Sequence, residues 1–119
     1  RRQRQMCIRD RENAEAKKLL EDAEILEKAG CFSIVLEKIP AELAKKVASK
    51  LNIPVIGIGA GADVDGQVLV LHDMLGMTHE FNPRFLRRYL NLFEEINLAI
   101  QNYAKDVKEK KFPNKDEKY

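Results

Sequence analysis

Cysteine, histidine, net charge and long apolar runs are all scarce in this sequence, and each scarcity removes a class of protein. Two cysteines, Cys7 and Cys31, are too few and too far apart for a disulfide framework or a zinc cluster, and point to reduced thiols. Two histidines, His72 and His79, with Asp73 beside the first, make a poor zinc pattern. His72-Asp73 reads instead as a hydrogen-bonded strand end that fixes the following loop. No apolar run approaches the roughly 18 residues that span a bilayer, so no membrane partner is expected. The basic start, Arg1 to Arg11, is followed by no apolar stretch or small-residue cleavage site and is not a secretory signal. A cytoplasmic setting is the default. The net charge is only +2, and its excess lies in the first eleven residues, where five arginines face one aspartate. Aromatics do not interleave with these arginines, so no nucleic-acid partner is expected.

What is present describes a globular chain: 119 residues, 45% hydrophobic and 34% charged. That length allows one modest core, well short of the roughly 250 residues of a closed eight-fold barrel. Residues 1–11 lack sustained periodicity and read as a basic appendage. From Asn13, a candidate N-cap, Ala16, Leu19, Leu20, Ala23 and Leu26 follow helical spacing up to a stop at Gly30. Phe32 to Leu36 reads as a strand ending at Glu37, and Pro40 stands at N1 of a second helix with Leu43, Ala44, Val47, Ala48 and Leu51 on one stripe and Asn52 at C′. Ile53 to Gly59 is a second strand, apolar without alternation as in a covered parallel strand. Gln67 to His72 is expected to form a third. Asn82-Pro83 should open a helix that buries Phe85, Leu86, Tyr89, Leu90 and Phe93, and a last helix carries Ile96, Ala99, Ile100, Tyr103, Ala104 and Val107. Phe81 is also assigned to the core of that helical layer. Residues 113–119 read as an exposed tail. The second and third strands are too close for an ordinary crossover helix.

Glu37 is the leading candidate for chemistry. In its strand, Phe32, Ile34 and Leu36 form the face an outer helix would cover, whereas Ser33, Val35 and Glu37 occupy the other, with Glu37 at the C-terminal end, where βα folds collect ligands. A partly desolvated carboxylate there suits general-base work; the plain alternative is a solvated or salt-bridged strand-end glutamate. Gly57, Gly59 and Gly61 form a second candidate, a bare backbone that either packs closely or cradles an anionic ligand. Their spacing is neither a dinucleotide fingerprint nor a P-loop.

The segments Val35-Leu36-Glu37-Lys38-Ile39-Pro40, Ile53 to Gly61, Asp65-Gly66-Gln67-Val68-Leu69-Val70, His72-Asp73 and Pro83-Arg84-Phe85 together resemble the ketopantoate hydroxymethyltransferase family, over roughly Glu15 to Pro113. The resemblance implies the C-terminal portion, about three strands plus helices, of an α/β fold, a (β/α)8 barrel of the phosphoenolpyruvate/pyruvate type. Its strands would be the sixth to eighth of the barrel, with residues 12–112 as a partial barrel domain. It also implies transfer of a hydroxymethyl group from 5,10-methylenetetrahydrofolate to the keto acid 3-methyl-2-oxobutanoate, giving 2-dehydropantoate for pantothenate and coenzyme A synthesis. Mg2+ would be the Lewis acid, Glu37 the proton acceptor, and the full-length protein a homo-oligomer. The family's metal ligands match nothing in this chain, so no metal ligand is assigned and the chain alone is expected to be inactive. Residues 1–11 stand unmatched, a candidate non-native segment. A different pyruvate-type barrel lyase, or a small α/β oligomerisation module without catalysis, are the other readings.

Overall fold

The computed structural model describes the backbone of residues 2–119 and the side chains of residues 12–119. Cys7 and the arginines of the basic start therefore lie outside the described side chains. Two compact units divide the chain, Arg1–Val68 and Leu69–Tyr119.

In the first unit, helix α1 spans Arg2–Lys28. Asn13 is interior to it and does not cap it, because no glycine or proline between Arg2 and Lys28 gives the chain reason to leave the helix. The stop is where the sequence places it. Gly30 has φ +95, Gly30 N–H donates to Glu27 O and Cys31 N–H to Leu26 O, the paired bonds of a Schellman ending. Strand β1 (Ile34–Glu37), helix α2 (Ala41–Lys50), strand β2 (Val55–Ile58) and the two-residue strand β3 (Gly66–Gln67) follow. The strands lie in the order β1-β2-β3, all parallel, with Ile34 opposite Val55, Glu37 opposite Ile58 and Ile56 opposite Gly66. The unit is mixed α/β with a small parallel sheet.

One face of this sheet is covered. Ile34, Leu36, Ala44, Val47, Leu51, Val55, Ala60 and Ala23 form the buried cluster, so α2 lays its expected stripe on the sheet and α1 reaches it through Ala23, Leu19 and Leu20. Salt bridge Glu24–Lys50 (2.7 Å) and the bond from Asn52 N–H to Glu27 Oε1 (2.6 Å) tie the ends of the two helices together. Pro40 is the N-cap of α2 and not its N1 residue, whereas Leu51 is the C-cap and leaves Asn52 at C′ as expected. Phe32 does not join the covered face: it precedes β1 and is 87% exposed.

Residues 59–65 connect β2 to β3 without a helix, and the segment itself closes the covered face. Ala60 is buried and Val64 packs on the cluster. Asp65 fixes the register, its N–H donating to Val55 O (2.9 Å) while its Oδ2 accepts from Val55 N–H (2.8 Å).

The third strand is shorter than expected. Only Gly66 and Gln67 pair with β2, which itself ends at Ile58, and Leu71–Met74 forms the short helix α3 of the second unit. His72-Asp73 is therefore helical and not a strand end. The helix expected from Pro83 is also absent; residues 81–91 are irregular, with one tight turn from Leu86 N–H to Pro83 O. Competing bonds explain this. Tyr89 N–H donates to Met74 O, Leu92 N–H to Leu75 O and Phe93 N–H to Gly76 O, while Arg88 donates to Thr78 O, Phe81 O and Asn82 Oδ1. Asn82 thus accepts from a side chain and caps no helix. Phe81, Phe85, Tyr89 and Phe93 are exposed, contrary to their expected place in a core. Helix α4 (Leu92–Lys108) completes the unit, with Glu94 and Glu95 in its first turn and Lys105 and Lys108 in its last, matching its dipole. Phe112 folds back edge-on to Tyr103, and residues 113–119 are exposed. Among the described residues, no helix is long and apolar enough to cross a membrane.

Candidate functional site

Strand period two divides β1 into Ile34 and Leu36 on the covered face and Val35 and Glu37 on the open one. Glu37 is exposed at the C-terminal end, as its sequence position suggests, in register with half-buried Ile58. Val35, 57% exposed, and Ile56 share that face. The carboxylate thus sits exposed at the rim of a mostly apolar surface, not partly desolvated.

The glycines divide differently. Gly57 is opposite Leu36, on the covered face and away from Glu37. A Cβ there would lie 3.0 Å from Val64 Cγ2 and 3.5 Å from Ala60 Cβ, so its bareness makes room for the helix-free connection. Gly61 has φ +83 and its Cβ would come within 2.5 Å of Ala41 Cβ, bringing that connection against the start of α2. Gly59, with φ +61, is exposed just past Ile58. Packing therefore accounts for two of the three candidates. The glycine that bares the open face is Gly66, opposite Ile56, whose Cδ1 would lie 2.8 Å from a Cβ added there. Sequence reading missed it because Asp65-Gly66 has the composition of a loop.

Lys38 was also passed over. It follows Glu37 with φ +53, and its N–H donates to Ile58 O (2.8 Å). A groove of about 640 Å³ in this unit is lined by Ala16, Leu19, Lys38, Ile39 and Leu43 among others; Glu37 is not among its lining residues.

In the second unit, buried Asp73 accepts from Thr78 Oγ1, and its backbone O accepts from Gly76 N–H. His72 O likewise accepts from Met77 N–H (2.8 Å), so both residues hold the following loop, from a short helix and not from a strand end. His79 stacks on Phe93 at 4.6 Å between ring centroids. Among the described residues, no three His, Cys, Asp or Glu side chains gather as a cation site. Among the described residues, the one clear electrostatic perturbation falls on Glu24. The Lys50 ammonium, hydrogen-bonded to Glu24, holds that carboxyl below its usual range.

Comparison with known proteins gives a consistent answer. The sequence model described as ketopantoate hydroxymethyltransferase matches residues 3–115, beginning upstream of Glu15 and so taking in most of the basic start. Proteins named 3-methyl-2-oxobutanoate hydroxymethyltransferase from Flavobacterium johnsoniae and Christiangramia forsetii are each 68% identical over 112 residues, and one from Porphyromonas gingivalis is 67% identical. Each alignment covers 94% of this chain and 41% of the relative, so the chain spans about two fifths of the length of these relatives. The match over nearly the whole chain, on a parallel sheet carrying a strand-end glutamate, places it in the ketopantoate hydroxymethyltransferase family.

Proposed function

We propose that this chain supplies the proton-accepting wall of a (β/α)8 barrel that transfers a hydroxymethyl group from 5,10-methylenetetrahydrofolate to 3-methyl-2-oxobutanoate, giving 2-dehydropantoate for pantothenate synthesis. The observation that carries the reading is the position of Glu37, at the C-terminal end of a parallel strand and on the face left open by the helices. Barrel enzymes collect their reacting groups at that end. Three parallel strands in sequential order, helix-covered on one face, are what a segment of barrel wall requires, and β1 to β3 would be its sixth to eighth strands.

In this reading Glu37 accepts the proton on the substrate carbon next to the ketone. The C–H electron pair moves towards the carbonyl, giving an enolate whose carbon bonds to the folate-borne methylene. Both C–N bonds of that methylene break, one in favour of the substrate carbon and one in favour of water's oxygen, which becomes the hydroxyl; each folate nitrogen keeps its bond pair and takes a hydrogen, one balancing the proton lost from the keto acid and one from water. Val35, Ile56 and Ile58 line the same face and would exclude water from the branched substrate carbon. Mg2+ is the metal the family implies, but the described residues of this chain offer no matching donor set. Its ligands, and a share of the keto-acid contacts, fall to the portion of the barrel upstream of this chain. Residues 12–112 would be the barrel portion, working in the cytoplasm within a homo-oligomer, and the chain alone would be inactive.

The test joins this chain to the upstream portion of the Flavobacterium johnsoniae relative and follows 2-dehydropantoate formation. Turnover that needs both portions and is lost in Glu37→Gln supports the reading. An inactive chimera, or full turnover in Glu37→Gln, contradicts it.

A further inference from the structure

Along β1 the side chains alternate, so a strand continued past Glu37 would place Ile39 on the open face beside it. Ile39 instead packs against the buried cluster, and Pro40 immediately caps α2. The alternation is therefore broken in the single residue between Glu37 and Ile39. That residue, Lys38, has φ +53, a left-handed conformation uncommon for residues with a Cβ. In the rest of the Arg1–Val68 unit, the left-handed positions among the described residues are all glycine: Gly30, Gly59 and Gly61. Lys38 nonetheless keeps the sheet ladder through its N–H, which donates to Ile58 O at 2.8 Å. The backbone is thus held in register up to the amide that follows Glu37 and reversed directly after it. Strain of this kind persists where the surrounding structure over-determines it, and it collects at functional sites.

We propose that the left-handed turn at Lys38 holds Glu37 on the open face, which makes Lys38 a positioning residue for the proton transfer; this rests on the reading of Glu37 as the base. Its contribution lies in backbone conformation and not in the ammonium. Replacement should therefore sort by tolerance of positive φ and not by charge. Lys38→Gly, Lys38→Asn and Lys38→Val all remove the charge. The first two adopt left-handed φ readily, whereas the β-branched valine does not.

The experiment uses the chimera described above and separates kcat from KM for the keto acid. Lys38→Gly and Lys38→Asn are expected to keep kcat within about twofold, whereas Lys38→Val lowers it roughly ten- to hundredfold with KM changed by no more than about twofold, the scale set by misplacing a reacting group. Lys38→Thr, β-branched like valine but polar, keeps the test decisive if the valine variant does not fold, with an expected loss of roughly three- to tenfold, whereas Lys38→Ala has the same Cβ as lysine and should keep kcat within about twofold. Equal losses in all variants would assign the effect to charge, and unchanged kcat in Lys38→Val or Lys38→Thr would show that the turn does not position the base; either overturns the proposal. Full activity in Glu37→Gln removes both this proposal and the reading beneath it. A dead Glu37→Gln beside a Lys38→Val of normal kcat removes this proposal alone.

Discussion

Gly61 and Ala41 meet so closely that a methyl group cannot be added between them. With φ +83 and a Cβ position 2.5 Å from Ala41 Cβ, Gly61→Ala incurs a left-handed penalty and an overpacking penalty together. The expected loss is about 2–4 kcal/mol, read from urea unfolding of the chimera. Gly57→Ala crowds the tip of Val64 at 3.0 Å and makes ordinary contacts with Gln67 and Ala60, and is expected to cost less. A different residue-scale effect follows from Glu24. Its carboxyl is held below the usual range by the hydrogen bond from Lys50, so the pair stabilises the fold above the ordinary carboxylate range, and the contribution fades as pH falls through the lowered folded value. Lys50→Ala should therefore lower the melting temperature slightly at pH 7 and leave it unchanged at strongly acid pH. Because the pair is exposed, high salt should shrink the difference.

At the scale of elements, the sequence makes α2, β1 and β2 readable because their signals are local. Proline precedes the helix, an apolar stripe follows, and Gly30 stops the helix before. The failures have non-local causes. Asn82-Pro83 carries helix-start chemistry, yet the helix would need Tyr89 N–H to bond Phe85 O, and that donor goes to Met74 O. Arg88 then holds the irregular segment through three acceptors. Arg88→Ala should increase hydrogen exchange of the amides from Thr78 to Leu92, leaving β1 and β2 protected. The apolar run at Val68 to Val70 looks like strand, but a strand requires a neighbour's ladder, and after the bond from Val68 N–H to Gly57 O, β2, which ends at Ile58, offers nothing further. Asp65 was read as a loop residue, although its carboxylate satisfies the amide of buried Val55. Asp65→Ala should cost about 1–3 kcal/mol by leaving that N–H without its partner. Glu37 was legible as a candidate because strand parity is visible in sequence. The turn at Lys38 was not, since lysine announces no left-handed conformation.

At the scale of the whole molecule, each of the two units exposes an apolar surface. On the sheet, Val35 is exposed beside half-buried Ile56 and Ile58 on the face opposite the helices. On α4, Phe93, Ile96, Ile100, Tyr103 and Val107 recur at steps of three and four and are all exposed. Surfaces of this kind seldom remain bare in a soluble monomer. Sedimentation of the chain alone should reveal concentration-dependent association, and a monomer throughout the micromolar range would contradict this. The central claim, that Glu37 takes the proton from the keto acid, is tested most directly by hydrogen exchange without folate. In heavy water the chimera should place deuterium on the substrate carbon beside the ketone, and Glu37→Gln should lower that rate by roughly a hundredfold or more, the scale of a lost general base. Exchange at an equal rate in both proteins would contradict the account.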